Sequence, residues 1–222
     1  MKDKIKKKII DLNRYKPEII KYLSQSNWQH FGYYFRIRKK IKENNLDNDF
    51  KRDFCYFYAM NGMRGLNNKQ KDEFFKLLKL RENNLEKILE TLHEIPGYGQ
   101  KQRLFLTFGT KLLHTININL PIYDGNIAYV LNLTDPAYPN SLKARIKNRI
   151  DIYTELKNWF NVLLSNSSIC SYLREIRKEF SKAAGIDYFE WKDNYISNTK
   201  LLDSLLWALC PILKRNIKHK KK

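Results

Sequence analysis

Residues 85–116 decide the fold and read LEKILETLHEIPGYGQKQRLFLTFGTKLLHTI. Leu85, Ile88, Leu89 and Leu92 recur at the i, i+3, i+4, i+7 spacing of an amphipathic helix, and Pro96 is expected to end it. The residues from about Lys101 to Ile116 predict a second helix. The stretch is therefore predicted to form two helices joined by a short glycine-containing turn.

The rest of the chain repeats this helical periodicity. Long helical patterns span roughly residues 141–164 and 168–183, and a leucine-rich helix is expected to begin at Ser197 and to end at Pro211. No alternating apolar and polar segment of useful length predicts a strand. We therefore expect an all-α fold.

The chain is strongly basic, with a formal net charge of +19. Residues 1–8 carry five lysines and one aspartate, and residues 214–222 carry six Lys or Arg, so we expect two basic, flexible tails. The body between them keeps a charge of +9, as a polyanion-binding surface would require. The alternative is a chain from a lysine-rich proteome, in which lysine and asparagine are simply common.

Several classes of protein are not expected. No apolar run approaches the ~20 residues that cross a bilayer, and no secretory signal follows the basic N-terminus, so we predict a cytoplasmic protein without a membrane partner. The three cysteines, Cys55, Cys170 and Cys210, are far apart and form no CxxC pair. We therefore expect no bound metal and no cofactor.

The turn between the two helices carries a candidate site. Ile95-Pro96-Gly97-Tyr98-Gly99-Gln100-Lys101 contains two glycines one residue apart, which permit a tight turn and close approach of another backbone. Amides at the start of a following helix would offer a phosphate their N–H groups and the positive end of the dipole. The residues predicted to bind DNA are Gly97, Tyr98, Gly99, Gln100 and Arg103. The alternative is a plain helix–turn–helix connection.

A second segment, residues 120–131, reads LPIYDGNIAYVL. A helix-hairpin-helix turn followed by a helix, a proline, two apolar residues and Asp-Gly-Asn resembles the helix-hairpin-helix DNA glycosylase superfamily. The resemblance covers roughly residues 85–133. It implies two helical lobes with a cleft between them, packed as one compact unit over residues 1–222. It also implies that Asp124 is the catalytic carboxylate and that Lys101 stands where lyase-competent members form a Schiff base.

The chemistry requires these residue types. Breaking a nucleotide's N-glycosidic bond builds positive charge on the sugar, which an ionised carboxylate such as Asp124 stabilises. A neutral amine such as Lys101 can attack the sugar carbon and hold it as an imine. The structural alternatives are a helix N-cap for Asp124 and a phosphate-binding lysine for Lys101.

The resulting hypothesis is a DNA glycosylase with AP-lyase activity. It would act as a nucleoid-associated monomer on double-stranded DNA that holds a damaged, mismatched or modified base. Two alternatives remain open: a non-enzymatic helix-hairpin-helix DNA-binding module, and a modified-base restriction or nuclease-like activity on the same scaffold.

Overall fold

The computed structural model describes residues 2–26, 28–134, 136–184 and 196–219. Over these ranges the chain is helical and has no strand, which confirms the predicted all-α class. The helices are α1 Lys2–Arg14, α2 Lys16–Ser26, α3 Trp28–Lys42, α4 Asn48–Phe57, α5 Asn68–Lys79, α6 Leu85–Glu94, α7 Leu106–Ile116, α8 Gly125–Leu131, α9 Leu142–Leu164, α10 Ser167–Ala184 and α11 Asn198–His219. A single 3₁₀ turn, Tyr98–Gln100, follows α6.

The chain divides into two units. The central unit comprises residues 30–123 and 135–153, and the terminal unit comprises residues 1–29, 124–134 and 154–222. The division falls within α3 and α9, and it places the turn at residues 95–101 in the central unit and α8 in the terminal unit. The two expected catalytic residues thus belong to different units.

The central unit is built on a phenylalanine cluster from α4 and α5, which contains Phe50, Phe54, Phe74 and Phe75. Ring centroids within it lie 5.5 to 6.2 Å apart, a spacing at which tilted and edge-on aromatic pairs attract. Asparagine or aspartate caps open α4, α5 and α6, and the Asn67 cap of α5 forms a reciprocal capping box with Gln70. Gly109 lets α7 approach α6 closely, since a Cβ there would lie 3.0 Å from Leu85.

The terminal unit is organised around α11, which contacts α1, α2, α8 and α10. Its five leucines on one side are fully buried, as the periodicity predicts: Leu201, Leu202, Leu205, Leu206 and Leu209. Ser197 caps the helix by accepting from the Lys200 amide at 3.1 Å. The expected end at Pro211 is wrong, because the helix continues through this proline to His219. Buried Leu209 and Ile212 flank Pro211, so packing holds the helix together there.

The two basic ends are helical where they are described. Residues 2–8 lie in α1 and residues 214–219 lie in α11, whereas sequence alone predicts flexible tails there. Residues 1 and 220–222 of those predicted tails lie outside the described residues. None of the described helices is both long enough and apolar enough to cross a bilayer.

Candidate nucleic-acid interface

The turn after α6, residues 95–101, is called the hairpin turn below. Hydrogen bonds from the start of α5 hold it in place. The Asn67 side-chain amide donates to the Pro96 carbonyl at 2.8 Å, and the Gln70 side-chain amide donates to the Ile95 carbonyl at 2.8 Å. The Gly97 amide closes the turn by donating to the Lys101 carbonyl at 3.0 Å. These bonds fix the base of the turn, so its tip is presented on a rigid support.

Every residue from Tyr98 to Arg103 is exposed, whereas Gly97 is buried. Gly99 adopts φ 68° and ψ 27°, and Gln100 also has a positive φ of 55°. Nothing lies within 4 Å of the position that a Cβ on Gly99 would occupy. The turn therefore offers an open backbone at Gly99, as the predicted phosphate contact requires.

The predicted start of the second helix at Lys101 is wrong. Residues 101–105 form a non-helical segment that is extended at Lys101, and α7 begins only at Leu106. The Lys101 carbonyl accepts from Gly97 and its backbone is extended, with φ −93° and ψ 125°, so a helix cannot propagate through it. The hairpin amides consequently do not lie in the first turn of α7.

Lys101 and Arg103 project from this exposed, non-helical segment. Among the described residues, neither side chain forms an ion pair or a hydrogen bond with a partner. Such cations are available to an incoming phosphate. The expected role of Lys101 as a Schiff-base lysine stays a prediction.

Asp124 is the N-cap of α8. Its half-buried carboxylate accepts from the Asn126 amide at 2.8 Å, and the Asn126 side-chain oxygen accepts from the Cys210 thiol of α11 at 3.3 Å. Asn132 ends the helix in the left-handed conformation that asparagine tolerates. Capping is a structural role, and it leaves the carboxylate on a defined helix terminus.

The aromatic and basic run at Tyr33–Arg38 belongs largely to the core. Tyr34 is fully buried, and its hydroxyl lies 2.9 Å from Nε2 of His114, which is 1% exposed. The other ring nitrogen of His114, Nδ1, lies 2.7 Å from the Leu120 carbonyl. His114 is therefore held between α3 and the turn that precedes the Asp-Gly-Asn segment.

Two of the cavities among the described residues are lined by several basic side chains, and the sequence analysis predicted neither. The lysine cavity of the terminal unit measures about 840 Å³ and is lined by Lys7, Lys8, Asp11, Arg14, Tyr15, Glu18, Tyr129, Asn132, Leu213 and Asn216. Lys8 is 5% exposed, and burial lowers its pKa below the usual value; Asp11 raises that pKa less strongly, and Lys7 lowers it slightly. The sequence does not predict this cavity, because the lysine-rich residues 1–8 are expected to form a solvated tail.

The arginine cavity of the central unit measures about 450 Å³ and borders the hairpin segment. Its lining consists of Arg64, Gln102, Arg103, Leu104, Phe105, Tyr138, Arg145 and Arg149. The four-residue spacing of Arg145 and Arg149 was a usable signal, since it puts both on one face of a predicted helix.

Comparisons of this chain with protein-family models, with curated proteins and with solved structures found no match.

Proposed function

We propose that this chain binds DNA and excises bases from it as a glycosylase. The observation that carries the proposal is the exposed hairpin run from Tyr98 to Arg103, fastened at its base by Asn67 and Gln70. A rigid turn with an open backbone and two cations suits a phosphodiester backbone. The +19 net charge adds long-range attraction for the same partner.

Asp124 is the proposed catalytic carboxylate. Its role is to stabilise the positive charge that develops on the sugar as the glycosidic bond breaks. The Asn126 amide, 2.8 Å away, orients the carboxylate. An oriented carboxylate is what this step requires.

Lys101 is the proposed nucleophile of an accompanying lyase step. Its amine would add to the aldehyde carbon that base loss leaves on the sugar, and loss of water would give a reducible imine. Because the lysine is exposed, the sugar of a bound strand can reach it.

A non-enzymatic DNA-binding module is the second candidate. The observation in its favour is that Lys101 precedes α7 by five residues and lies on the open surface. A lysine in that setting serves a phosphate contact without any covalent chemistry.

Borohydride trapping separates the two candidates. The full chain would be incubated with a panel of duplexes, each holding one lesion, mismatch or abasic site, in the presence of borohydride. Because an imine is reducible, we expect a covalent adduct with wild type and with Lys79→Gln, an exposed lysine at the end of α5. Lys101→Gln should lose the adduct but keep most of its DNA affinity.

The same panel gives the contradicting result. If no duplex in it loses a base or forms an adduct, while all are bound with salt-sensitive affinity, the module replaces the glycosylase. If base loss occurs and Lys101→Gln still forms the adduct, the glycosylase stands and Lys101 is not its nucleophile.

A further inference from the structure

The arginine cavity of the central unit is lined by four arginines from three parts of the chain. Arg145 and Arg149 come from α9, Arg103 from the non-helical segment before α7, and Arg64 from the turn after α4. No carboxylate is among the described residues that line it. Nor do these four arginines form an ion pair with any carboxylate in the described ranges. Converging cations without such a counter-charge repel one another, so an anion would stabilise the cavity.

Arg149 is buried and Arg145 is half-buried. Arg149 is 3% exposed and donates to the Ala137 carbonyl and, at 3.2 Å, to the Arg145 carbonyl. The Nε atom of Arg145 is buried and lacks a hydrogen-bond partner within the described structure. A buried donor without a partner is uncommon in folded proteins. The Arg145 guanidinium forms no ion pair or side-chain hydrogen bond within the described structure, so its terminal nitrogens are available to donate to a ligand.

A less polar cavity adjoins the cationic one. It measures about 230 Å³ and shares Arg64, Leu104, Phe105, Tyr138 and Arg149 with its neighbour. The added lining is mainly apolar or aromatic: Leu106, Thr107, Phe108, Tyr123 and Pro136. The Arg149 guanidinium lies 4.8 Å from the centre of the Tyr138 ring, whose residue is 79% exposed. A flat, π-bonded group fits beside such rings.

We propose that these joined cavities bind a nucleotide, with its phosphate among the four arginines and its base in the less polar part. Bidentate guanidinium groups suit phosphate oxygens, and aromatic walls suit a base. The inference goes beyond the proposed function, since it needs neither Asp124 nor base excision. The nucleotide is either free or the phosphorylated end of a strand, and the two share this chemistry.

Calorimetric titration of the full chain tests the proposal. The probes are dAMP, deoxyadenosine and inorganic phosphate, together with single-stranded oligonucleotides that carry either a 5′-phosphate or a 5′-hydroxyl. We expect dAMP to bind at least about tenfold more tightly than deoxyadenosine or phosphate, because only dAMP fills both parts. A similar preference for the 5′-phosphorylated strand over the 5′-hydroxyl strand would identify a strand end as the ligand, and its absence a free nucleotide. The proposal is overturned if dAMP binds no better than deoxyadenosine.

Single substitutions place the site. Arg145→Met removes the guanidinium but keeps an unbranched side chain, and Arg103→Gln changes an exposed residue that the fold does not need. Each should weaken dAMP binding by about tenfold or more, whereas Arg81→Gln, an exposed arginine outside the cavity, should bind as wild type does. Should Arg145→Met fail to fold, Arg103→Gln decides alone. Wild-type affinity for dAMP in Arg103→Gln would contradict the assignment.

Discussion

The arginine cavity of the central unit and the lysine cavity of the terminal unit are both basic, but their charges are balanced differently. The described lining of the arginine cavity holds four cations and no carboxylate. The lysine cavity holds Lys7, Lys8 and Arg14 together with Asp11 and Glu18, so its lining is nearly neutral. A high count of basic residues therefore does not define an anion site. What defines one is the set of cations that no neighbouring carboxylate neutralises.

The largest expected effect of this difference in charge balance is on the salt dependence of duplex DNA binding. If the hairpin and the arginine cavity contact about 5–8 phosphates, the log–log slope of duplex affinity against salt should be about −4 to −7. Affinity would then fall by about 10²–10⁴ between 50 and 200 mM salt, as measured by fluorescence anisotropy. A slope near zero would remove nucleic acid as a partner.

Paired variants sharpen the comparison. Replacing Arg64 and Arg103 together by glutamine should make the slope less steep by about two, one for each lost phosphate contact. The same change at Lys7 and Arg14 should leave the slope within about half a unit, because carboxylates already neutralise that lining. Equal effects of the two double variants would show that charge balance does not decide which cavity binds phosphate.

Asp124→Asn separates chemistry from binding. We expect base release to slow by about 10²–10³, since the substitution removes a charge that stabilises the transition state. The salt slope should not change. Asparagine is itself a good N-cap, so the unfolding free energy should stay within about 0.5 kcal/mol, whereas Asp124→Ala should lose about 1 kcal/mol. Single-turnover kinetics on a susceptible duplex measure the rate. Full activity of Asp124→Asn would restrict Asp124 to its capping role.

Periodicity predicted the helices well but not the path between α6 and α7. The residues at 101–105, Lys-Gln-Arg-Leu-Phe, include good helix formers and no breaker, so local propensity predicts helix there. Tertiary structure overrides it, because the Gly97–Lys101 hydrogen bond turns the backbone and Phe105 is buried to 8% exposure. Neither fact is visible in the sequence.

The candidate sites were likewise predictable only where they depend on residues that are close in sequence. Asp124 was predictable both as a helix cap and as a motif residue, because each depends only on nearby sequence. The spacing of Arg145 and Arg149 was visible too. Arg64 and Arg103, however, lie 81 and 42 residues before Arg145 in the chain, and only tertiary packing brings them to the same cavity.

Gly99 tests how much the hairpin backbone contributes beside the arginine cavity. Gly99→Asn should keep the fold, since asparagine tolerates a positive φ, yet weaken duplex binding by about tenfold by adding a side chain where a phosphate approaches. Gly99→Val should weaken binding and also cost about 1–2 kcal/mol of stability through backbone strain. Anisotropy and thermal unfolding give the two readouts. Wild-type affinity in a folded Gly99→Asn protein would leave DNA binding to the arginines.

Replacing Lys8 should have the smallest effect among these predictions. Whether the replacement raises or lowers the free energy of unfolding tests whether the charges that line the lysine cavity are balanced. Burial lowers the pKa of Lys8 below its usual 10.5, and the attraction of Asp11 only partly offsets this. Between the folded-state pKa and 10.5, the unfolded chain binds more protons at this residue, so its contribution makes stability rise with pH. Below that window the buried charge lowers stability by a constant amount. Lys8→Met should therefore be more stable than wild type at pH 7, and the difference should shrink as pH rises toward 10.5. Lys7→Met changes an exposed neighbour and should show no such gain in stability.

Denaturant unfolding at several pH values measures the difference in unfolding free energy between Lys8→Met and wild type. A Lys8→Met protein that is less stable at pH 7 would mean that Asp11 more than compensates the buried ammonium, and that the cavity relies on this lysine as a structural cation.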